Sequence, residues 1–189
     1  MKFIFDFDDV LFYNTKQLKE HMYICLEKVG VSRNIVEPYY TEARKKEFSL
    51  KNLISSLVAR ENIKQINIKD ICEEIMNECK NFVNKELLEV IKKIGKENCF
   101  LISYGQEKFQ QEKIKRTSVA SLFSKIIIVQ ESKKEAVEKI CARYKDEEVI
   151  FIDDKAHHFK DLDFKKYPNL KTILYDEQGL KKLFSILPQ

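Results

Sequence analysis

The sequence predicts an α/β fold: an open parallel sheet with a block of helices inserted directly after its first strand. Three observations carry this. Short, β-prone apolar runs recur through the second half of the chain, at 99–103 (CFLIS), 125–129 (KIIIV), 148–153 (EVIFID) and 170–175 (LKTILY). Helical segments of roughly 10–15 residues separate them, the rhythm of right-handed βαβ crossovers in a parallel sheet. The runs are continuously apolar instead of alternating, as strands are when helices cover both faces of a sheet. A further run, KFIFD at 2–6, stands alone at the start, and residues 14–96 after it contain little that reads as strand.

Within 14–96, TKQLKEHMYICLEKVG sets Leu18, Met22, Ile24, Cys25 and Val29 at helical spacing, with Gly30 as the stop. A second helix is expected over 36–46. SLKNLISSLVAREN, IKDICEEIMNECKNFV and NKELLEVIKKIGK repeat the helical character, so the insertion reads as a cluster of four or five helices. Beyond it, QEKFQQEKIKRTS, KKEAVEKICARY (133–144), residues 156–166 and EQGLKKLFSIL are expected as helices between and after the strands. The division is therefore 1–13 with 97–189 as the α/β core and 14–96 as the helical insertion.

The bulk properties narrow the function classes. At 189 residues the chain suits one domain, or a core with a modest insertion, and 44% hydrophobic content excludes wholesale disorder. A net charge of +4, from 34 basic and 30 acidic residues, is too balanced for a nucleic-acid binder, so no nucleic-acid partner is expected. Cys25, Cys72, Cys79, Cys99 and Cys141 are odd in number and form no CxxC pair, which argues against a disulfide framework or a zinc knuckle. Cys72 and Cys79, seven apart, are expected on one helix face as small buried residues. The opening MKFIFDF lacks a signal-peptide layout, and no run approaches the roughly 18–20 apolar residues of a membrane span. A soluble, cytoplasmic protein without a membrane partner, monomeric or homodimeric, is the expectation.

In an open α/β sheet the chemistry sits beyond the carboxyl ends of the strands. That rule selects Asp6, followed by Asp8 and Asp9; Ser103; Lys133, a few residues after KIIIV; and the pair Asp153 and Asp154. Carboxylates gathered in one place repel one another and are costly to desolvate. A hard divalent cation resolves the conflict: magnesium takes oxygen ligands and keeps several waters, so one or two carboxylates, a carbonyl and a substrate phosphate suffice. A hydroxyl and a lysine opposite it would hold phosphate oxygens and offset developing charge.

These residues resemble the motifs of the haloacid dehalogenase-like superfamily. DFDDV at Asp6–Val10 is similar to its first motif, DxDx(T/V); LIS ending at Ser103 to its second; Lys133 to the lysine of its third; and IFIDD ending at Asp154 to its acidic fourth. The intervals are 97, 30 and 21 residues, in the family's order. The first interval has room for the helical cap of the C1-capped subfamily. The resemblance implies a three-layer Rossmannoid fold and a phosphohydrolase mechanism. Asp6 would be the nucleophile that forms an aspartyl-phosphate, and Asp8 the acid for the leaving alcohol and then the base for water. Mg²⁺ would be held by the Asp6 carboxylate, the Asp8 carbonyl and Asp154, with Asp153 able to share or replace the last. Ser103 and Lys133 would hold the phosphate, helped by backbone N–H groups near Tyr104 and Gly105, where a helix begins. Lys134 is the alternative to Lys133, which is favoured because Val137 then follows four residues on. Asp8 favours phosphoryl chemistry, since family members that cleave carbon–halogen bonds lack the second aspartate. Asp9 stands where the family usually has Gly, and His158 where many members carry an acidic residue or Asn.

Blander readings stand beside these. An isolated DxD is more often a solvated loop with helix-capping aspartates. His157 and His158 read as surface histidines, because neighbours on a helix diverge by about 100°. Phe12, Tyr13 and Asn14 fit either a substrate entrance or ordinary packing. Arg44, Lys45 and Lys46 read as a solvated face, with Arg44 a possible contact for a charged substrate. Four functions compete: a phosphatase for a small phosphorylated metabolite or nucleotide, a phosphomutase using the same intermediate, a phosphorylatable receiver-like module, and a scaffold that has lost catalysis. A receiver places its phosphorylated aspartate after a later strand and lacks a long insertion after the first.

Overall fold

The computed structural model describes residues 1–45, 48–64 and 66–187. Its centre is one parallel sheet of β1 (Lys2–Phe5), β2 (Cys99–Tyr104), β3 (Lys125–Val129), β4 (Val149–Asp153) and β5 (Leu170–Leu174), in the order β3-β2-β1-β4-β5. The chain runs outward from β1 to β3, then crosses back to β4 on β1's other side, so β1 lies at the switch point where such sheets open a crevice. Phe5 pairs with Leu101 on one side and Ile152 on the other, which brings Asp6 level with Asp153.

The pleat sends alternate side chains to opposite faces. Phe3, Phe5, Cys99, Leu101, Ile150 and Ile152 join one apolar cluster. Ile4, Phe100, Ile102, Val149 and Phe151 join another, closed by Ala136, Val137, Ile140 and Cys141 of α7 (Lys134–Arg143). β1 and β4 are buried throughout, whereas β3 and β5 are half-exposed because each forms an edge.

Between β1 and β2 lie α1 (Lys19–Lys28), α2 (Arg33–Arg44), α3 (Leu50–Arg60), α4 (Ile68–Asn77) and α5 (Lys85–Ile94). Side chains cap three of these starts: Ser49 accepts from Asn52 N–H, Asn67 from Lys69 and Asp70, and Asn84 from Leu87. Leu53, Ile54 and Leu57 of α3 and Ile71 and Ile75 of α4 lie at helical spacing and share the cluster of Phe5 and Leu101. Apolar packing is therefore continuous from the inserted helices into the sheet. The remaining helices are α6 (Glu107–Thr117) and α8 (Gly179–Ile186). No helix is long and apolar enough to cross a membrane among the described residues.

The structure corrects several expectations. Ile24 and Val29 are 48% and 41% exposed; the buried face of α1 is Met22, Tyr23, Cys25 and Leu26. Residues 14–18 form a wide π-type turn that resets the helical phase, and α1 ends at Lys28, before Gly30 turns the chain at φ +85°. Cys72 and Cys79 do not share a helix. α4 stops at Asn77 and tightens into a 3-10 turn, Glu78–Phe82, which buries Cys79 and leaves Cys72 half-buried. The helix expected over 156–166 is one short turn, Ala156–Phe159, after which Asp163 accepts from Lys166 N–H and sets a local turn. α2 begins three residues before the expected start and ends at Arg44; Lys46 and the last two residues of the expected core lie outside the described residues.

Candidate active site

Asp6 follows β1 and is 2% exposed. Its backbone N–H donates to Ile152 O, at 2.9 Å. Its Oδ1 accepts from Phe7 N–H at 2.7 Å and lies 2.7 Å from Lys133 Nζ. Among the described residues no hydrogen bond engages Oδ2. The chain then turns sharply, with the N–H groups of Leu11 and Phe12 both donating to Phe7 O and the Phe12 ring stacked on Phe7 at 5.1 Å. Phe12 is therefore core packing, not a substrate entrance. Asp9 sits in this turn at φ +60°, a left-handed conformation that suits Gly but that Asp also adopts. Its carboxylate accepts from the N–H and hydroxyl of Thr15, at 2.8 and 2.6 Å, and so starts the 14–18 turn.

Lys133 precedes α7 and is 1% exposed, while Lys134 is exposed. Its ammonium bridges Asp6 and Asp153, 2.6 Å from Asp153 Oδ2. Asp153 is fully buried and fully engaged, since Oδ2 also lies 2.8 Å from His158 Nδ1 and Oδ1 accepts from Lys155 N–H. Burial alone would raise the Asp153 pKa, but His158 and Lys133 together hold it below the ordinary value. His158 is thus no surface residue: its side chain is 12% exposed, whereas His157 is exposed. Asp154 differs from its neighbour. Its Oδ1 is buried without a hydrogen-bond donor, and burial raises its pKa despite Lys155 nearby. Burial likewise raises Asp6, to about 7, against the pull of Lys133.

One carboxylate oxygen each of Asp6, Asp153 and Asp154 lies within 4.8 Å of the others. Ser103 is fully buried near the end of β2, and its Oγ has no hydrogen-bond partner among the described residues. One expectation fails. The Gly105 N–H donates to Val129 O at 2.9 Å, so the sheet has taken it, and α6 starts only at Glu107 behind a Gln106 cap. Tyr104 is 47% exposed, and its carbonyl accepts from Gln110.

Asp8 faces a different set of partners. Oδ1 lies 2.5 Å from Lys113 Nζ, and Oδ2 accepts from Gln110 Nε2 at 2.8 Å. It opens on a cleft of about 500 Å³ whose walls include Asn14, Tyr40, Arg44, Lys45 and Phe109. Sequence reasoning missed Lys113 and Gln110. Their signal was periodicity: Gln110, Lys113, Ile114 and Thr117 occupy the buried stripe of α6, where a lysine is anomalous.

No protein-family model matches the sequence, and no curated protein matches it. Solved structures do. A haloacid dehalogenase-like hydrolase from Burkholderia xenovorans aligns with a TM-score of 0.68 at 16% identity, over 95% of this chain and 89% of that one. The HAD-hydrolase YfnB from Bacillus subtilis, bound to magnesium, aligns with a TM-score of 0.59 at 14% identity, over 100% and 98%. A structure described as a β-phosphoglucomutase from Thermotoga maritima aligns with a TM-score of 0.57 at 16% identity, over 99% and 100%. The chain has the haloacid dehalogenase-like fold.

Proposed function

We propose that the protein is a magnesium-dependent phosphoric monoester hydrolase for a small phosphorylated metabolite or nucleotide, working through an aspartyl-phosphate on Asp6. One observation carries the reading: three carboxylates from two adjacent strand ends converge within 4.8 Å around a buried lysine, and one of them, Asp154, keeps a buried oxygen without a donor. A buried acceptor with no hydrogen bond, and only the Lys155 ammonium 3.7 Å away, is costly unless a cation completes it. The donor set is all hard oxygen, which suits magnesium. Asp6 and Asp154, with the Asp8 carbonyl, would hold the ion, and Asp153 is better cast as the group that aims Lys133. When bound, the cation supplies positive charge that keeps Asp6 ionised and offsets the charge of the phosphate.

The chain's own groups then divide the work. Asp6 Oδ2 attacks phosphorus, and the bond to the leaving oxygen breaks. Asp8 gives that oxygen a proton, then takes one from the water that attacks phosphorus, breaks the Asp6–phosphorus bond and releases inorganic phosphate. Lys133 and the Ser103 hydroxyl bind phosphate oxygens. Residues 14–96 act as a cap, and the cleft they border limits the leaving group to a small molecule.

The test is a phosphate-release screen over sugar phosphates, nucleotides and phosphoamino acids, with and without Mg²⁺. Turnover should need the metal, and Asp6→Asn should lower it by at least about 10³-fold. Activity that survives chelation removes the metal from this account; a fully active Asp6→Asn removes the nucleophile. The likeness to the Thermotoga structure supports a second reading, a phosphomutase. Isomerised sugar phosphate in place of free phosphate would select it.

A further inference from the structure

We propose that Lys113 is a positioning residue for Asp8, and that with Gln110 it aims the Asp8 carboxylate at the leaving group. The inference rests on the phosphohydrolase reading of the site. Gln110 and Lys113 stand three residues apart on α6 and so share one face of it. Each takes one Asp8 oxygen, at 2.8 and 2.5 Å, so the carboxylate has no freedom to rotate without breaking a bond. The Gln110 amide is itself fixed, because the same Nε2 donates to Tyr104 O at 2.8 Å. Lys113 is equally constrained. Its ammonium also donates to Asn14 Oδ1 at 3.1 Å and lies among the rings of Phe7, Phe12 and Phe109, 4.9–5.6 Å from their centres.

Stability does not explain this arrangement. Lys113 is 1% exposed, and desolvating an ammonium and a carboxylate together costs about as much as their attraction returns. A methionine would fill the same aromatic pocket without the charge. What the lysine adds is direction: it fixes a carboxylate that lines the cleft and is still 16% exposed there. Lys133 cannot serve instead, since it is committed to Asp6 and Asp153. The two lysines thus divide the site, one holding the nucleophile and the other the proton-transfer group.

A proton donor matters when the leaving group is an alkoxide and hardly at all when it is p-nitrophenolate, which departs without a proton. The experiment therefore compares Lys113→Met with wild type on p-nitrophenyl phosphate and on an alkyl phosphomonoester such as glycerol phosphate, both with Mg²⁺. The expected result is a kcat/KM, which reports the steps through departure of the leaving group, lower by about 10²-fold on the alkyl ester, with a far smaller fall on the aryl ester. Gln110→Met, which removes the Oδ2 donor together with the bond to Tyr104 O and leaves Lys113 on Oδ1, should shift the ratio in the same direction by less. It carries the test if Lys113→Met fails to fold. Equal losses on both esters mean a structural role and overturn the proposal, as does an unchanged ratio. A wild-type protein inactive on both esters and on every phosphomonoester of the screen overturns the phosphohydrolase reading itself, and the positioning role with it.

Discussion

Asp6 shows how a single residue can be chosen against stability. Burial raises its pKa from 3.8 to about 7, although the Lys133 ammonium pulls the other way. A carboxyl that holds its proton more tightly in the folded state than in the unfolded one favours folding at low pH. That contribution is complete below the unfolded value and is lost as the pH rises through about 7. Chelator-treated protein should therefore lose thermal stability between about pH 4 and pH 7, the span between the two values, and little more above it. Asp6→Asn carries no such charge and leaves Lys133 its partner Asp153. The variant should melt higher than metal-free wild type at pH 8, with the gap narrowing towards pH 5. A wild-type melting temperature that rises over this range, with no gap at pH 8, would show that Asp6 is not destabilised by its burial. The neighbouring carboxylates report the same environment with different outcomes: Asp153 is satisfied by three donors, whereas Asp154 Oδ1 has no hydrogen bond and only the Lys155 ammonium 3.7 Å away.

At the scale of elements, Asn84 fastens the start of α5 to two other parts of the fold. Its Oδ1 caps the helix by accepting from Leu87 N–H at 3.2 Å, and its Nδ2 donates to Val10 O at 3.3 Å and to the Tyr175 hydroxyl at 2.8 Å. Val10 belongs to the turn after Asp6, and Tyr175 follows β5. Asn84 is 5% exposed, so truncation removes a cap and leaves buried polar groups unpaired. Asn84→Ala should cost about 2–4 kcal/mol in chemical denaturation, and a loss below about 0.5 kcal/mol would show that the three contacts are not cooperative. Elements were also the scale at which the sequence was most legible. Strand ends are marked by where apolar runs stop, so Asp6, Ser103 and Asp154 could be picked from one line of text. Lys133 needed only the helix start beside it. Lys113 could not be chosen among so many lysines, because what distinguishes it is burial against residues about a hundred positions away. The Gly105 N–H was misjudged for a related reason: whether a donor is free depends on sheet register, and register is tertiary information.

Across the whole molecule, the question is whether the inserted helices and the sheet stand or fall together. One apolar cluster contains Leu26, Leu57 and Ile75 from the insertion and Phe5, Leu101 and Ile152 from the sheet. Asn14 and Lys113 add a polar tie between the two parts. A core shared in this way predicts a single cooperative unit instead of an insertion that opens alone. The cysteines can measure it. Cys25 and Cys79 belong to the insertion and Cys99 and Cys141 to the α/β part; all four are buried, and burial pushes their thiols up to about 11 or 12. As buried, largely protonated thiols they are inert near pH 8 until the structure opens, whereas half-buried Cys72 is partly accessible. With a thiol reagent under native conditions, one site should react early. The other four should follow together, with opening free energies that agree within about 0.5 kcal/mol. Early reaction of Cys25 and Cys79 with continued protection of Cys99 and Cys141 would show that the insertion opens by itself, and that the shared cluster does not couple it to the sheet.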